Sequence, residues 1–187
     1  MHELSLDGLW RCAADPFGLG HNLHYTQSCI DDSDWRLVSL PGTVPEIADG
    51  FLFGKGKIWF RREVDIPEAW KGRRITLEGD GLFENAKIHI NGIESGHANL
   101  PYLPWEAEIK AEAGAHILIV LELDCTQNKD RCPGTWLGWR AVSGILRSLR
   151  LRATAWTTLQ ISSLATDGAG NLAATIQLRR HSEKSSL

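Results

Sequence analysis

The 187 residues carry 43% hydrophobic and 23% charged side chains and a formal charge of −3, the balance of an ordinary globular chain long enough for one good-sized core. The slight acidic excess argues against a general nucleic-acid binder, which shows a basic stripe. No stretch approaches ~18 uninterrupted apolar residues, and MHELSLDGLWRC at the start lacks the apolar centre of an export signal; no membrane partner and a cytoplasmic location are expected.

In chain order, the first local signals are a short connector turn around Pro45 to Ala48 and the flexible tip Gly54-Lys55-Gly56-Lys57. That tip shares only composition with a phosphate loop, because no strand-to-helix context surrounds it. Ile58 to Ile66 then alternates apolar and charged residues, the mark of a half-buried strand, and Arg62 falls on the apolar parity of Phe60, Val64 and Ile66. A connector turn at Pro67 to Trp70 precedes Arg73 to Leu77, with Ile75 and Leu77 on one face. Ala86, Ile88 and Ile90 alternate with Lys87, His89 and Asn91. Asn91-Gly92 is a strong hairpin signal, since both residues tolerate the positive φ that a tight two-residue turn requires.

His116 to Cys125 (HILIVLELDC) is almost wholly apolar, as a strand inside a sandwich would be. Ile145 to Ala153, Thr158 to Leu164 and Leu172 to Arg179 complete the set, the last two separated by the turn from Asp167 to Asn171. Ser143-Gly144 is read as the turn launching Ile145 to Ala153, and Arg147 shares the parity of Ile145, Leu149 and Leu151. No segment offers two turns of amphipathic helix. The pattern predicts an all-β sandwich. A boundary near Ala153 to Thr157 divides it into residues 1–155 and a segment 156–187 with too few strands for its own core.

Chemistry is sparsely marked. The four cysteines Cys12, Cys29, Cys125 and Cys132 form no CxxC, no histidine follows at zinc-finger spacing, and neither a metal nor a cofactor is expected. Cys125 and Cys132 flank a predicted loop and can pair if oxidised; without an export signal, free thiols are the expectation. His21 and His24 lie three apart and His89 and His97 face across the hairpin, neither pair marking a metal site by spacing. Twenty-three acids contain no motif selecting the carboxylate pair that glycoside hydrolysis needs. GxSxG, Walker, HExxH and GxGxxG motifs are absent.

Eight tryptophans are several times the usual number. Strand packing accounts for Trp10, Trp35, Trp59 and Trp70, while Trp105, Trp136 and Trp139 lie in or near predicted loops, where an indole face can stack on a sugar ring. A core-directed guanidinium must find carboxylates or carbonyls. Arg62 and Arg147 are therefore expected in ion pairs inside the sandwich, with Asp124, Glu122 or Glu84 as partners.

Several stretches in order resemble the N-terminal sugar-binding domain of glycoside hydrolase family 2, the β-galactosidase, β-glucuronidase and β-mannosidase group. They are Leu6-Asp7-Gly8-Leu9-Trp10, Trp35 with Leu40-Pro41-Gly42, and Ile58-Trp59-Phe60-Arg61-Arg62 before Ile66-Pro67. Trp70 to Ile75, Ile90-Asn91-Gly92 with Gly96-His97, and Trp139-Arg140-Ala141-Val142-Ser143-Gly144-Ile145-Leu146-Arg147 follow. The resemblance covers residues 4–155. It implies a jelly-roll sandwich of the galactose-binding type, followed in the family by an immunoglobulin-like sandwich, whose first strands residues 156–187 would be. A (β/α)₈ barrel then carries both catalytic glutamates of a retaining exo-β-glycosidase.

The family's Asn-Glu dipeptide occurs nowhere in the chain, so no catalytic residue is expected. The implied role is a non-catalytic sugar-binding accessory domain, with β-glycosides and the other domains of the enzyme as partners. In some members a loop before the Trp-Arg…Ser-Gly-Ile segment brings an aspartate to the sugar. By position this is Asp124, or else Asp130, while an asparagine subsite known in some galactosidases has no counterpart between Gly42 and Lys57. Two alternatives are an autonomous carbohydrate-binding module using Trp105, Trp136 or Trp139, and a structural domain serving homo-oligomer assembly.

Overall fold

A computed structural model describes residues 2–43, 56–83, 85–126 and 144–181. In chain order the strands are β1 (His2–Ser5), β2 (Gly8–Asp15), β3 (Arg36–Leu40), β4 (Gly42–Thr43), β5 (Lys57–Asp65), β6 (Arg74–Gly79), β7 (Leu82–Phe83) and β8 (Asn85–Ile90). They continue as β9 (Ile93–Ala98), β10 (Trp105–Ile109), β11 (His116–Asp124), β12 (Gly144–Ile145), β13 (Leu149–Thr154), β14 (Thr157–Thr166) and β15 (Leu172–Arg180). The connector before β6 is a single 3-10 turn, Glu68–Trp70. The protein is all-β.

A six-stranded sheet in the order β3-β2-β5-β11-β8-β9 faces a four-stranded one, β1-β13-β6-β10, and the short β4-β12-β7 bridges one rim. The pairings are antiparallel throughout. Between the sheets lie Trp10, Phe60, Ile75, Leu77, Ile88, Ile119, Leu121, Leu149 and Leu151, all buried. β11 is apolar on both sides because both sides are covered. Ile117, Ile119, Leu121 and Leu123 face the main core, while Leu118 and Val120 join Trp59 beneath Tyr25 and Trp35. The segment 16–35 thus forms an outer layer over the six-stranded sheet.

The Asn91-Gly92 turn has φ of 49° and 84° at its two residues and opposes Ile90 to Ile93, as the sequence predicts. Its Asn91 side chain also accepts a hydrogen bond from Leu118 N at 2.8 Å, tying the hairpin to β11.

Two expectations are corrected. Arg62 does share the inward side of Phe60 and Val64, yet its partners among the described residues are backbone oxygens; Glu84 lies outside them. Its Nη1 donates to Leu6 O at 2.6 Å and Asp7 O at 3.4 Å, and the guanidinium sits 5.8 Å from the Trp10 ring centre. Half-burial at the rim leaves part of the charge hydrated, so neutral carbonyls suffice.

Arg147 is exposed. Between β12 and β13 the strand breaks, with Leu146 N and Arg147 N both donating to Gly81 O at 3.1 and 3.2 Å. This bend turns Arg147 outward before Leu149, Leu151 and Ala153 resume inward positions. Gly144 opens β12, pairing Thr43 on one side and Phe83 on the other; Ser143 lies outside the described residues. Arg147→Met is expected to change unfolding stability by no more than about 0.5 kcal/mol, read as the urea midpoint. A loss several times larger would place the guanidinium in a buried pair.

β14 and β15 pair with each other and, among the described residues, with no other strand. A register shift between Ile161 and Ser163 resets the alternation, so Leu159, Ile161 and Leu164 fall on one face with Leu172, Ala174, Ile176 and Leu178 opposite. The six Leu and Ile side chains of that face are 59–71% exposed. The other face carries Thr158, Gln160, Thr175, Gln177 and Arg179.

Candidate functional site

Asp124 is the last residue of β11, placed opposite Lys57 and Asn85. The strand ends that bracket residues 44–55 and 127–143 meet on this rim. Cys125 N donates to Gly56 O at 3.0 Å, Gly144 opposes Thr43, and Phe83, opposite Gly144, is two residues from Asn85. Asp124 is half-buried, and its Oδ1 accepts Thr126 N at 2.9 Å. One carboxylate oxygen thereby shapes the start of the following segment. Asp130, Trp136, Trp139, Cys132 and Glu84 lie outside the described residues.

Trp105 opens β10 on the inward parity of Ala107 and Ile109 and packs over Gly79. Glycine is required there: a Cβ on Gly79 would fall 2.5 Å from Trp105 Cε2 and 2.6 Å from its Nε1. Beside it a depression of about 280 Å³ is lined by Glu78, Asp80, Trp105, Glu106, Arg150 and Arg152, among others. Arg150 grips Asp80 with two bonds of 2.8 and 2.6 Å, which hold the Asp80 carboxyl below its ordinary value. Glu78 receives both Arg150 Nε and Arg152 Nη2 at 3.3 Å.

Opposite the main core, the outer layer is pinned by three buried polar groups that sequence reasoning did not assemble. Asp15 accepts Leu19 N at 2.7 Å, Gly20 N at 2.9 Å and Trp59 Nε1 at 3.0 Å. Arg61 pairs with Asp32 at 2.8 Å and donates to the Tyr25 and Gln27 carbonyls. Glu122, only 2% exposed, takes Lys57 on one oxygen and His21 and His89 on the other at 3.0 and 3.3 Å. Burial alone would raise the Glu122 carboxyl, but the hydrogen bonds from His89 and Lys57 bring it down to about 2. With every oxygen engaged, this carboxylate is a clamp rather than a general base. The available signal was one acid inside the apolar run of β11. Among the described residues, no group of three or more His, Cys, Asp or Glu side chains is placed to hold a metal ion.

No protein-family model matches the chain. It is 27% identical over 110 residues to the β-galactosidase BoGH2A of Bacteroides ovatus, covering 48% of this chain and 13% of that protein. It is 25% identical over 130 residues to a β-galactosidase of Thermoanaerobacter pseudethanolicus, covering 66% and 18%. The chain thus spans less than a fifth of the length of these curated relatives. In fold it matches a β-glucuronidase from an uncultured Clostridium species, with a TM-score of 0.80 at 21% identity over 95% of this chain and 34% of that one. A Ruminococcus gnavus β-glucuronidase in complex with D-glucuronic acid gives 0.73 at 19% identity. The sequence likenesses are to parts of β-galactosidases and a β-glucuronidase, and the structural ones show the fold.

Proposed function

We propose that this chain is a non-catalytic, sugar-binding accessory domain of a family 2 glycoside hydrolase whose catalytic barrel is a separate domain of the same enzyme. The observation that carries this reading is its sequence similarity to β-galactosidases and β-glucuronidases over only 13–18% of their length. Residues 1–155 form the jelly-roll unit, and residues 156–187 open an immunoglobulin-like sandwich. Two features support that division. The fold likeness extends over 95% of the chain, a span that residues 1–155 alone would not fill, and the β14–β15 hairpin has an apolar face that none of the described residues cover.

In the assembled enzyme the rim carrying Asp124 would face the barrel. Asp124, or Asp130 in the segment that follows, would accept hydrogen bonds from hydroxyls of the bound sugar. Its carboxylate retains lone pairs beyond the one given to Thr126. The domain adds positioning, not bond cleavage, because retaining hydrolysis needs two carboxyls held about 5 Å apart with one left free as nucleophile. The most buried acids, Asp15 and Glu122, are fully committed to structural bonds.

The 187-residue chain, incubated with p-nitrophenyl β-galactoside and p-nitrophenyl β-glucuronide, is expected to release nitrophenol no faster than buffer. Turnover that co-purifies with the chain and survives repeated chromatography would overturn the non-catalytic assignment.

A further inference from the structure

Asn91-Gly92 is the one Asn-Gly dipeptide in the sequence, and Asn91 is exposed at the tip of the β8–β9 hairpin. Gly92 has no side chain to shield its own backbone nitrogen, which can attack the neighbouring carboxamide carbon and makes this asparagine chemically labile. The fold restrains that attack in two ways. Ring closure requires Gly92 N to eclipse Asn91 Cβ about the Cα–C bond, and the tight turn, with φ of 49° and 84°, holds it well away from that torsion. The side chain is also tied down. Asn91 Oδ1 accepts Leu118 N at 2.8 Å, and Asn91 N donates to Leu118 O at 2.9 Å. Leu118 is only 4% exposed, so turning the carboxamide toward Gly92 would strip a buried strand of a hydrogen bond that water cannot readily replace.

We propose that Asn91 is a site of spontaneous, succinimide-mediated deamidation that proceeds only when the hairpin tip lets go of β11. In the opened turn Gly92 N bonds to Asn91 Cγ, the Cγ–Nδ2 bond breaks, and ammonia leaves with the proton from Gly92 N. Water then adds to one of the two ring carbonyls, and ring opening yields aspartate or isoaspartate at this position. No oxidant or reductant takes part. Aspartate keeps a side-chain oxygen for Leu118 N and gains a negative charge. Isoaspartate routes the main chain through Cβ, adding a methylene to a two-residue turn, so the pairing of Ile90 with Ile93 cannot re-form as it was. Each conversion is thus a permanent record of one opening, at the edge of the six-stranded sheet. None of this depends on sugar binding or on the accessory-domain reading.

The test follows the full chain in mildly alkaline buffer, folded and in concentrated urea, with products read on the tryptic peptide 88–110. Mass gives the extent of conversion, and chromatography separates the aspartyl and isoaspartyl forms. In urea this peptide is expected to convert faster at Asn91 than at Asn99, which leucine follows. The folded chain should convert at Asn91 at least about tenfold more slowly than the chain in urea. Exchange of the Leu118 amide hydrogen, measured in the folded chain in the same buffer, should be slowed by a factor that matches within about threefold, because one opening gates both. Equal rates of conversion in the two states would show that the fold does not gate the reaction. No conversion at Asn91 in urea would remove the site. A mismatch with the Leu118 exchange beyond that threefold, in either direction, would uncouple the chemistry from release of β11. Any of these results overturns the proposal.

Discussion

Glu122→Gln is expected to lower unfolding stability by about 2–4 kcal/mol at neutral pH, one of the largest losses available to a single polar substitution in this chain. The carboxylate is 2% exposed and receives Lys57, His21 and His89. A neutral amide would leave a 5% exposed His89 and a half-buried Lys57 without their counter-charge.

The same group predicts a pH dependence whose sign follows from its shift. The folded-state value of about 2 lies below the ordinary 4.5, so the unfolded chain binds the proton more readily. Its contribution is complete above about pH 4.5 and fades as the pH falls toward 2, amounting to about 3 kcal/mol over that window. Urea midpoints measured at pH 7 and pH 3 for the parent and for Glu122→Gln should converge toward the acid end. Parallel pH profiles would mean that Glu122 is solvated in the folded protein.

The 187-residue chain should also self-associate through the β14–β15 hairpin. Leu159, Ile161, Leu164, Leu172, Ile176 and Leu178 make one continuous apolar face on a two-stranded sheet, with none of the described residues packed over it, and such a face is sticky in water. Light scattering at tens of micromolar, an order-of-magnitude working range, is expected to report species heavier than the monomer. Ile176→Lys, directly opposite Ile161, should return the chain to a monomer while the sandwich keeps its thermal midpoint, since the hairpin lies outside its core. A parent chain that is monodisperse and monomeric would show that this face is covered from within.

Much of the sandwich was legible because its strands obey a two-residue period. β5, β6, β8, β14 and β15 fall where the predicted strands lie, β11 where its unbroken apolar run places it, and Asn91-Gly92 adopts the turn its residue types favour. Trp10, Trp59 and Trp70 are buried as packing residues, while Trp35 is half-covered against Tyr25. The outer layer was not legible. Residues 16–35 contain little periodic hydrophobicity, and they are held by Asp15, Arg61 and Glu122 through bonds to backbone groups and side chains distant in sequence.

Arg147 shows why parity fails at a break in a strand, for two amide groups sharing the Gly81 carbonyl reset the side-chain direction. Arg62 shows that an inward arginine can be met by two backbone carbonyls as well as by an acid. At the candidate site, Asp124 was named from the resemblance rather than from any local pattern, and nothing in the sequence joins Arg150 and Arg152 to Glu78 and Asp80, which they reach through the pairing of β13 with β6.

β13 lies between β1 and β6, with His2 opposite Ala153 and Ser5 opposite Arg150. During synthesis, then, β1 leaves the ribosome long before its partner β13. At about 5–20 residues per second that interval is on the order of 10 s. Until β13 emerges, one layer of the sandwich lacks its middle strand, and the apolar side of the six-stranded sheet has only part of its cover. Such long-range closure slows folding, and the nascent chain is a natural client for chaperones over that interval.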